Sequence, residues 1–199
     1  PEDAELSSQS RDLLERLSKK YTVSIISGRD RAEVKSLVNI DSLYYAGNHG
    51  FDIAGPANTR YIHPSAKIVQ PYLSRADVYI SESLSSIRGI LIERKRFSIA
   101  VHYRLVNPGD VETIRKELSA ICDVIPGLKI SSGKKVFELQ PDIEWNKGRA
   151  VLWLIEKLFP MASLSPETLF IYLGDDITDE DAFRELEDIG ITVLVGSHG

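Results

Sequence analysis

The stretch Leu169-Phe-Ile-Tyr-Leu-Gly-Asp-Asp-Ile-Thr-Asp-Glu-Asp181 indicates both a fold class and a site. Its first five residues are apolar without alternation, which predicts a strand buried on both faces of a parallel sheet. Gly174 ends this run, and five carboxylates follow within seven positions: Asp175, Asp176, Asp179, Glu180 and Asp181. Ligands of open α/β sheets bind beyond the carboxyl ends of the strands. Clustered carboxylate oxygens at such a place are typical of a site for a hard cation such as Mg²⁺.

An acidic helix start is the alternative interpretation of the same residues. Thr178 is a favourable N-cap, and the acids of 179–181 would then stabilise the positive end of a helix. This alternative leaves Asp175 and Asp176 unexplained, because they precede the cap and their charges repel each other. An EF-hand is disfavoured because the spacing lacks the glycine at the sixth position of the calcium loop.

Composition limits the class of protein and of partner. The chain has 199 residues, 43% of them hydrophobic, which is enough for one core or for a core with a small inserted domain. Its net charge of −5 argues against a nucleic acid or a membrane surface as partner. The single cysteine, Cys122, allows no internal disulfide and lies in a helical pattern that places it in the core. No signal peptide or membrane-length apolar run is recognisable, so a cytoplasmic location is expected.

The predicted elements alternate between helix and strand at both ends of the chain and are rich in strands in the middle. Helices are predicted over 7–20, from Asp30 onward with Asp30 and Glu33 as a capping box, over 65–88 with a break at Pro71, and over 108–124, 146–159 and 179–188. Strands are predicted over 22–26, 43–46, 51–53, 60–62, 129–132, 135–139, 169–173 and 191–195, and within 89–104. The pattern predicts an α/β protein with parallel βαβ units. Residues 1–56 and 143–199 would form its core, and residues 57–142 an inserted domain that closes over the site.

Two further segments have the chemistry of a phosphate site. Ser27 ends a predicted strand before Gly28 and a helix start, where a hydroxyl and free backbone N–H groups suit a phosphate. The alternative is an ordinary Ser-Gly turn with Arg29 in solvent. Lys147 lies in the first turn of a predicted helix, where a cation opposes the macrodipole unless it faces an anion such as a phosphate or the carboxylates near Asp175. An ordinary surface lysine is the alternative.

The middle of the chain has a set of polar residues of both signs. Acids and bases together suit a ligand rich in hydroxyl groups, such as a sugar, because hydroxyls both donate and accept. A solvated sheet face with cross-strand ion pairs is the alternative. The two histidines His49 and His102 are too few and too scattered for a zinc site. The set, predicted to lie on strands, consists of Glu93, Lys95, His102, Arg104, Lys134 and Glu138.

Taken in order, three motifs resemble the second, third and fourth motifs of haloacid dehalogenase-type phosphatases. They are Ser27-Gly-Arg29, Asn146-Lys147-Gly148 and Gly174-Asp-Asp-x-Thr-Asp-Glu-Asp181. Within that superfamily the chain resembles the trehalose-6-phosphate phosphatases from about residue 1 to 196. The stretches that carry this closer resemblance are Ser24–Arg29, Ala46–Phe51, Glu93–Arg104, Lys135–Glu138 and Leu173–Phe183, of which Glu93–Arg104 is the most specific.

This resemblance implies a Rossmann-like haloacid dehalogenase core with an inserted α/β cap domain. It implies Mg²⁺-dependent hydrolysis of trehalose 6-phosphate to trehalose and phosphate. Asp175 would ligate Mg²⁺ with support from Asp176 and Asp179, and Ser27 and Lys147 would hold the phosphate. Arg29, Asn48 and His49 would border the site, and the cap residues Glu93, Lys95, Arg104, Lys134 and Glu138 would hold the sugar. A trehalose-phosphate synthase domain or partner is the protein partner that the resemblance suggests.

The chain departs from the family pattern in one respect. Family members begin with a strand carrying Asp-x-Asp-Gly-Thr, whose first aspartate is the nucleophile and whose second is the general acid and base. Here the only Asp-x-Asp is Asp179/Asp181, which is predicted to be helical. The sequence is therefore expected to be truncated at its N-terminus, to lack a central strand and to hydrolyse nothing measurable by itself. A phosphatase for another sugar phosphate and a non-catalytic binding or regulatory domain remain as alternatives.

Overall fold

The computed structural model describes residues 5–160 and 168–196, which fall into two compact units. The inserted unit comprises residues 62–144, and the flanking unit comprises the described residues within 1–61 and 145–199. The sequence placed the corresponding changes at 57 and 142. The assignment of these units as a phosphatase core and its cap stays a prediction. Within the described ranges, every helix is too short or too polar to cross a membrane.

The helices and strands of the described residues are as follows. The α-helices are α1 (Ser8–Ser18), α2 (Arg31–Val38), α3 (Pro64–Ile68), α4 (Gln70–Ser83), α5 (Val111–Val124), α6 (Lys147–Leu158) and α7 (Glu180–Leu186). The strands are β1 (Ser24–Ile26), β2 (Tyr44–Gly47), β3 (Asp52–Ala54), β4 (Arg60–Ile62), β5 (Leu91–Arg94), β6 (Ile99–His102), β7 (Leu128–Gly133), β8 (Val136–Pro141), β9 (Phe170–Gly174) and β10 (Gly190–Leu194).

The flanking unit contains two parallel strand pairs, each connected through a helix. Strand β1 pairs parallel with β2 through α2 in a sheet of order β1-β2-β3-β4, and β9 pairs parallel with β10 through α7 in a separate two-stranded sheet. The predicted βαβ units are thus confirmed. Asp30 caps α2 by accepting a hydrogen bond from the Ala32 amide at 2.8 Å. Glu33 does not complete a capping box as expected but pairs with Arg29.

Strand β9 is covered on one face, so the prediction of burial on both faces is wrong. Phe170 and Tyr172 pack against a cluster of Val151, Ala182 and Leu186 on α6 and α7. Ile171 and Leu173, together with the preceding Leu169, are 59% to 64% exposed. An apolar run shows that residues are compatible with burial, but it does not show which elements cover them.

The inserted unit is an antiparallel sheet of order β5-β6-β8-β7 with helices on one face. The core between them includes Ile80, Leu84, Ile114, Leu118, Val101 and Leu139. Cys122 packs against this core, as predicted. The predicted break near Pro71 is confirmed, because α3 ends at Ile68 and α4 begins at Gln70. On the opposite face, Glu93, Ala100 and Glu138 form one cross-strand row over β5, β6 and β8.

Candidate active site

A buried carboxylate, Asp179, connects α6, β9 and the acidic loop of the flanking unit. The side chains of Asp179 and Lys147 are 5% and 8% exposed, and Lys147 Nζ donates to Asp179 Oδ1 at 2.8 Å. The Tyr172 hydroxyl donates to the same oxygen at 2.7 Å. The other oxygen, Oδ2, accepts the backbone N–H groups of Asp175 at 3.2 Å and of Asp176 at 3.1 Å. Four donors from three parts of the chain therefore meet on one carboxylate.

These hydrogen bonds decide the charge state of the buried carboxylate. Burial acts to raise the pKa of Asp179, but hydrogen bonds from Lys147 and Tyr172 outweigh it and hold the pKa below its ordinary value. Burial, and then the hydrogen bond to Asp179, raises the pKa of Tyr172. The carboxylate is therefore ionised and the phenol remains a donor at neutral pH.

The position of Lys147 follows from the residues beside it. Asn146 caps α6 by accepting a hydrogen bond from the Arg149 amide at 2.9 Å. Gly148 allows α7 to approach, because a Cβ at this position would lie 2.4 Å from the carbonyl oxygen of Asp181. A cation in the first turn opposes the helix dipole, and here the Asp179 carboxylate compensates for it. The buried pair excludes the interpretation of Lys147 as a surface lysine, while its catalytic role stays a prediction.

The carboxylates of Asp175 and Asp176 are exposed at the carboxyl end of β9. Thr178 lies inside a 3-10 turn over Ile177–Asp179, so the alternative interpretation is wrong in making it an N-cap. Within residues 5–160 and 168–196, no three His, Cys, Asp or Glu side chains come together as a metal site. The carboxylate oxygens of Asp175 and Asp176 are nevertheless the hard ligands that Mg²⁺ prefers. The oxygens of Asp179, in contrast, already accept four hydrogen bonds. The assignment of these three residues to a metal stays a prediction.

Backbone hydrogen bonds join the loop after β1 to the turn after β2. The His49 amide donates to the Ser27 carbonyl at 2.9 Å, and the Asn48 amide donates to the Arg29 carbonyl at 2.7 Å. The buried Asn48 side chain also donates to Asp30 Oδ2 at 3.3 Å. The Arg29 amide donates to Ser27 Oγ at 3.1 Å, and the Arg29 guanidinium pairs with Glu33. The structure thus brings Ser27, Arg29, Asn48 and His49 together. Their place at a phosphate site stays a prediction.

The turn after β2 also contacts the helix that carries Lys147. Asn48, His49 and Gly50 have φ values of 50°, 55° and 92°, three successive residues in the left-handed region. A Cβ added at Gly50 would lie 2.2 Å from the Cβ of Ala150 on α6. Glycine is needed here both for the backbone conformation and for the close approach.

The polar residues of the inserted unit form two hydrogen-bonded groups. Glu93 on β5 contacts Nε2 of His102 on β6 at 2.9 Å. Glu138 on β8 accepts from Lys95 Nζ at 3.0 Å and from the hydroxyl of the buried Ser98 at 2.5 Å. Ion pairs of this kind were the alternative to a sugar site, and they occupy both carboxylates. Sugar binding by these residues stays a prediction.

The prediction that the whole polar set lies on strands is wrong for three of its members. Lys95 lies in the loop between β5 and β6, because β5 ends at Arg94. Arg104 is exposed in the turn after β6, which ends at His102. Lys134 is exposed in the turn between β7 and β8, beside Lys135 with its φ of 62°. Alternation continued past the ends of these strands, and periodicity alone does not locate a hairpin turn.

Three residues of these networks were not predicted to have these roles. Tyr172 was taken only as part of an apolar strand, although a buried phenol normally has a hydrogen-bond partner. Asp30 was read only as a helix cap, whereas its second oxygen holds Asn48. Ser98 supports Glu138 from within a strand-like pattern, and nothing in its spacing indicated this.

Comparisons with known proteins show which family this chain resembles. The family model described as Trehalose-phosphatase matches residues 1–198. The chain is 38% identical over 202 residues to an uncharacterized glycosyl hydrolase of Mycobacterium tuberculosis, covering 100% of the chain but 15% of that protein. It is 37% identical over 188 residues to the trehalose-phosphate phosphatase of Mycobacterium ulcerans, covering 92% of the chain and 46% of that enzyme. The chain thus spans about half the length, or less, of these relatives.

A solved structure gives the same result for the fold. The C-terminal domain of Candida albicans trehalose-6-phosphate phosphatase matches with a TM-score of 0.76 and 25% identity, over 94% of this chain and 68% of that one. The predicted α/β fold class is confirmed. The family model covers nearly every residue, including the segments of Lys147 and Asp179 that meet in the structure. The chain belongs to the trehalose-phosphatase family.

Proposed function

We propose that the protein containing this chain is a Mg²⁺-dependent phosphatase that hydrolyses trehalose 6-phosphate to trehalose and phosphate in the cytoplasm. The observation that carries the proposal is the buried Lys147–Asp179 pair beside the exposed carboxylates of Asp175 and Asp176. In a member of this family, such a group of charges at the end of β9 suits a metal ion and a phosphate.

In this proposal, some residues of the flanking unit bind the phosphate and others bind the metal ion. Lys147 has three N–H donors and Asp179 accepts one of them, which leaves donors for phosphate oxygens. Ser27 Oγ accepts the Arg29 amide, so its own proton is available for donation to the phosphate. Asp175 and Asp176 would hold Mg²⁺, which when bound neutralises charge on the transferred phosphoryl group. All of these interactions strengthen as negative charge spreads over the phosphoryl oxygens.

The proposal also requires a nucleophile, which the family resemblance places outside these 199 residues. An aspartate elsewhere in the full-length protein would attack phosphorus, and the bond from phosphorus to the sugar oxygen would break as that oxygen takes a proton. Water would then cleave the aspartyl phosphate, which releases phosphate and restores the carboxylate. A trehalose-phosphate synthase, fused or separate, is the partner that this function suggests.

The inserted unit supports a sugar as the group that carries the phosphate. Glu138 is held by Lys95 and Ser98, and Glu93 is held by His102, so two carboxylates are oriented on one face of the sheet. Carboxylates and cations together can accept from and donate to sugar hydroxyls.

The test is phosphate release by the full-length gene product with Mg²⁺ and with EDTA, across trehalose 6-phosphate, sucrose 6-phosphate, glucose 6-phosphate and a phosphorylated mannosylglycerate. We expect the highest kcat/KM for trehalose 6-phosphate and none of this activity with EDTA. Lys147→Met should abolish turnover, and Lys157→Met near the other end of α6 should not. Equal rates on all four substrates would refute the assignment of trehalose 6-phosphate as the substrate. No phosphate release from any of them would favour a non-catalytic domain.

A further inference from the structure

Tyr172 contacts the centre of the candidate active site and has no role in the chemistry above. We propose that Tyr172 is a positioning residue, whose hydroxyl fixes Asp179 and thereby the loop of Asp175 and Asp176. This inference rests on the proposed function and deepens it. The first support is the 2.7 Å hydrogen bond from the Tyr172 hydroxyl to Asp179 Oδ1, the oxygen that Lys147 also contacts.

The Tyr172 hydroxyl is the better anchored of the two donors on Oδ1. The backbone of Tyr172 lies inside the parallel β9–β10 ladder, where it pairs with Thr192. Its ring meets Phe183 of α7 edge-on, with ring centroids 5.8 Å apart and an interplanar angle of 83°. Lys147 reaches the same oxygen through a flexible four-carbon chain. The phenol therefore sets where Oδ1 lies, and the lysine follows.

Fixing one oxygen of Asp179 also fixes the other, because a carboxylate is planar and rigid. Oδ2 accepts the amides of Asp175 and Asp176, so the position of Oδ1 is transmitted to the backbone of the acidic loop. The loop is tightly wrapped around this side chain, since a Cβ at Gly174 would lie 2.5 Å from the Cβ and Cγ of Asp179. Without the phenol hydroxyl, Oδ1 would keep only Lys147 as a side-chain donor.

Tyr45 offers a matched control for loss of a buried tyrosine hydroxyl. It lies in the same unit, is 2% exposed, and its hydroxyl donates to the Ile40 carbonyl at 2.8 Å and accepts the Ile40 amide at 3.1 Å. Tyr45→Phe removes the two hydrogen bonds of a tyrosine hydroxyl that do not involve Asp179. A purely structural role for Tyr172 would make Tyr172→Phe and Tyr45→Phe behave alike.

The experiment compares both variants in the full-length gene product. Mg²⁺ affinity is measured by calorimetry without substrate, and kcat and KM are measured with trehalose 6-phosphate. Supporting residues behind metal ligands typically affect metal affinity or activity by about 10- to 100-fold. We expect Tyr172→Phe to weaken Mg²⁺ binding and to lower kcat within that range while KM stays nearly constant. Tyr45→Phe should lower the melting temperature alone.

Amide hydrogen exchange tests the coupling independently of metal and substrate. Tyr172→Phe should speed exchange at the amides of Asp175 and Asp176 by about 10-fold or more, as expected if the hydroxyl contributes about 1.4 kcal/mol to their protection. If the wild-type protein hydrolyses nothing, the proposed function fails, and the exchange rates still decide the role of Tyr172. Equal exchange and equal Mg²⁺ affinity in Tyr172→Phe and Tyr45→Phe would overturn the proposal.

Discussion

Replacing Asp179 by asparagine tests the central interaction of the flanking unit. Asparagine has the same shape, but it offers one acceptor oxygen and one donating NH₂ group. The four groups around Asp179 are all donors, two on each oxygen. In either orientation, the NH₂ group would face two donors, and Lys147 would lose its counter-charge.

The expected loss follows from the burial of the pair. The side chains of Asp179 and Lys147 are 5% and 8% exposed, so water would do little to compensate the unpaired lysine. Removing one partner of a buried pair typically costs about 3–5 kcal/mol. Misdirected hydrogen bonds contribute to that figure rather than adding to it, because they surround the same carboxylate. We therefore expect Asp179→Asn to lower the free energy of unfolding by about 3–5 kcal/mol.

Urea unfolding followed by tryptophan fluorescence measures this loss in the 199-residue chain. Both tryptophans, Trp145 and Trp153, belong to the flanking unit, so their signal reports that unit. Glu185→Gln is the control, because its pair with Arg149 also involves α6 and joins it to α7 at 3.7 Å, with side chains 30% and 49% exposed. An exposed pair contributes about 0–1 kcal/mol. A loss in Asp179→Asn no larger than in this control would refute the reasoning.

The same pair predicts a pH dependence. The folded pKa of Asp179 is depressed, so its contribution to stability is complete above its unfolded pKa of about 4. That contribution is lost as the pH falls through the folded pKa. The difference in stability between the wild type and Asp179→Asn should therefore shrink below about pH 4. A difference that stays constant in strong acid would contradict the assigned pKa shift.

Three further substitutions test the sites separately. Asp175→Asn in the full-length protein should abolish Mg²⁺-dependent phosphate release, and unchanged turnover would remove Asp175 from the metal site. Glu138→Ala should mainly raise KM for trehalose 6-phosphate, because Glu138 is expected to bind the sugar rather than the phosphate; a normal KM would contradict this. Gly50→Ala should cost about 1–3 kcal/mol more than Gly127→Ala by urea unfolding followed by circular dichroism, because helices and strands of both units contribute to that signal. Both glycines have a φ of 92°, but only at Gly50 would the new Cβ meet Ala150, at 2.2 Å, so equal losses would exclude the clash.

Local sequence signals predicted much of the fold, and their failures share a cause. The βαβ order at both ends and the break near Pro71 follow from periodicity and from the geometry of proline. Local signals could not predict that β9 is covered on one face only, because the exposure of Ile171 and Leu173 depends on which elements pack nearby. Likewise, apolar and polar residues alternate up to Arg104, so the pattern does not show that β6 ends at His102.

For the site, the sequence indicated the participants better than their connections. A lysine in a first helical turn was anomalous enough to indicate a partner anion, and Lys147 indeed contacts Asp179. Tyr172 was missed because its partner lies seven residues ahead in the chain. The 3-10 turn over Ile177–Asp179 folds Asp179 back onto β9, whereas the sequence predicted Asp179 as the first residue of a regular helix.

The shared carboxylate has a consequence for how this site can change over evolutionary time. Substitutions at Asp179 and its contacts Lys147 and Tyr172 should be strongly non-additive, because once Asp179 is gone the others lose their common partner. If Asp179 were replaced, no single substitution at Lys147 or Tyr172 would supply a new acceptor for the donors that remain. We expect related proteins either to keep all three residues or to have replaced all three. A single substitution leaves either a buried lysine without a counter-charge or a buried carboxylate that lacks a hydrogen-bond donor.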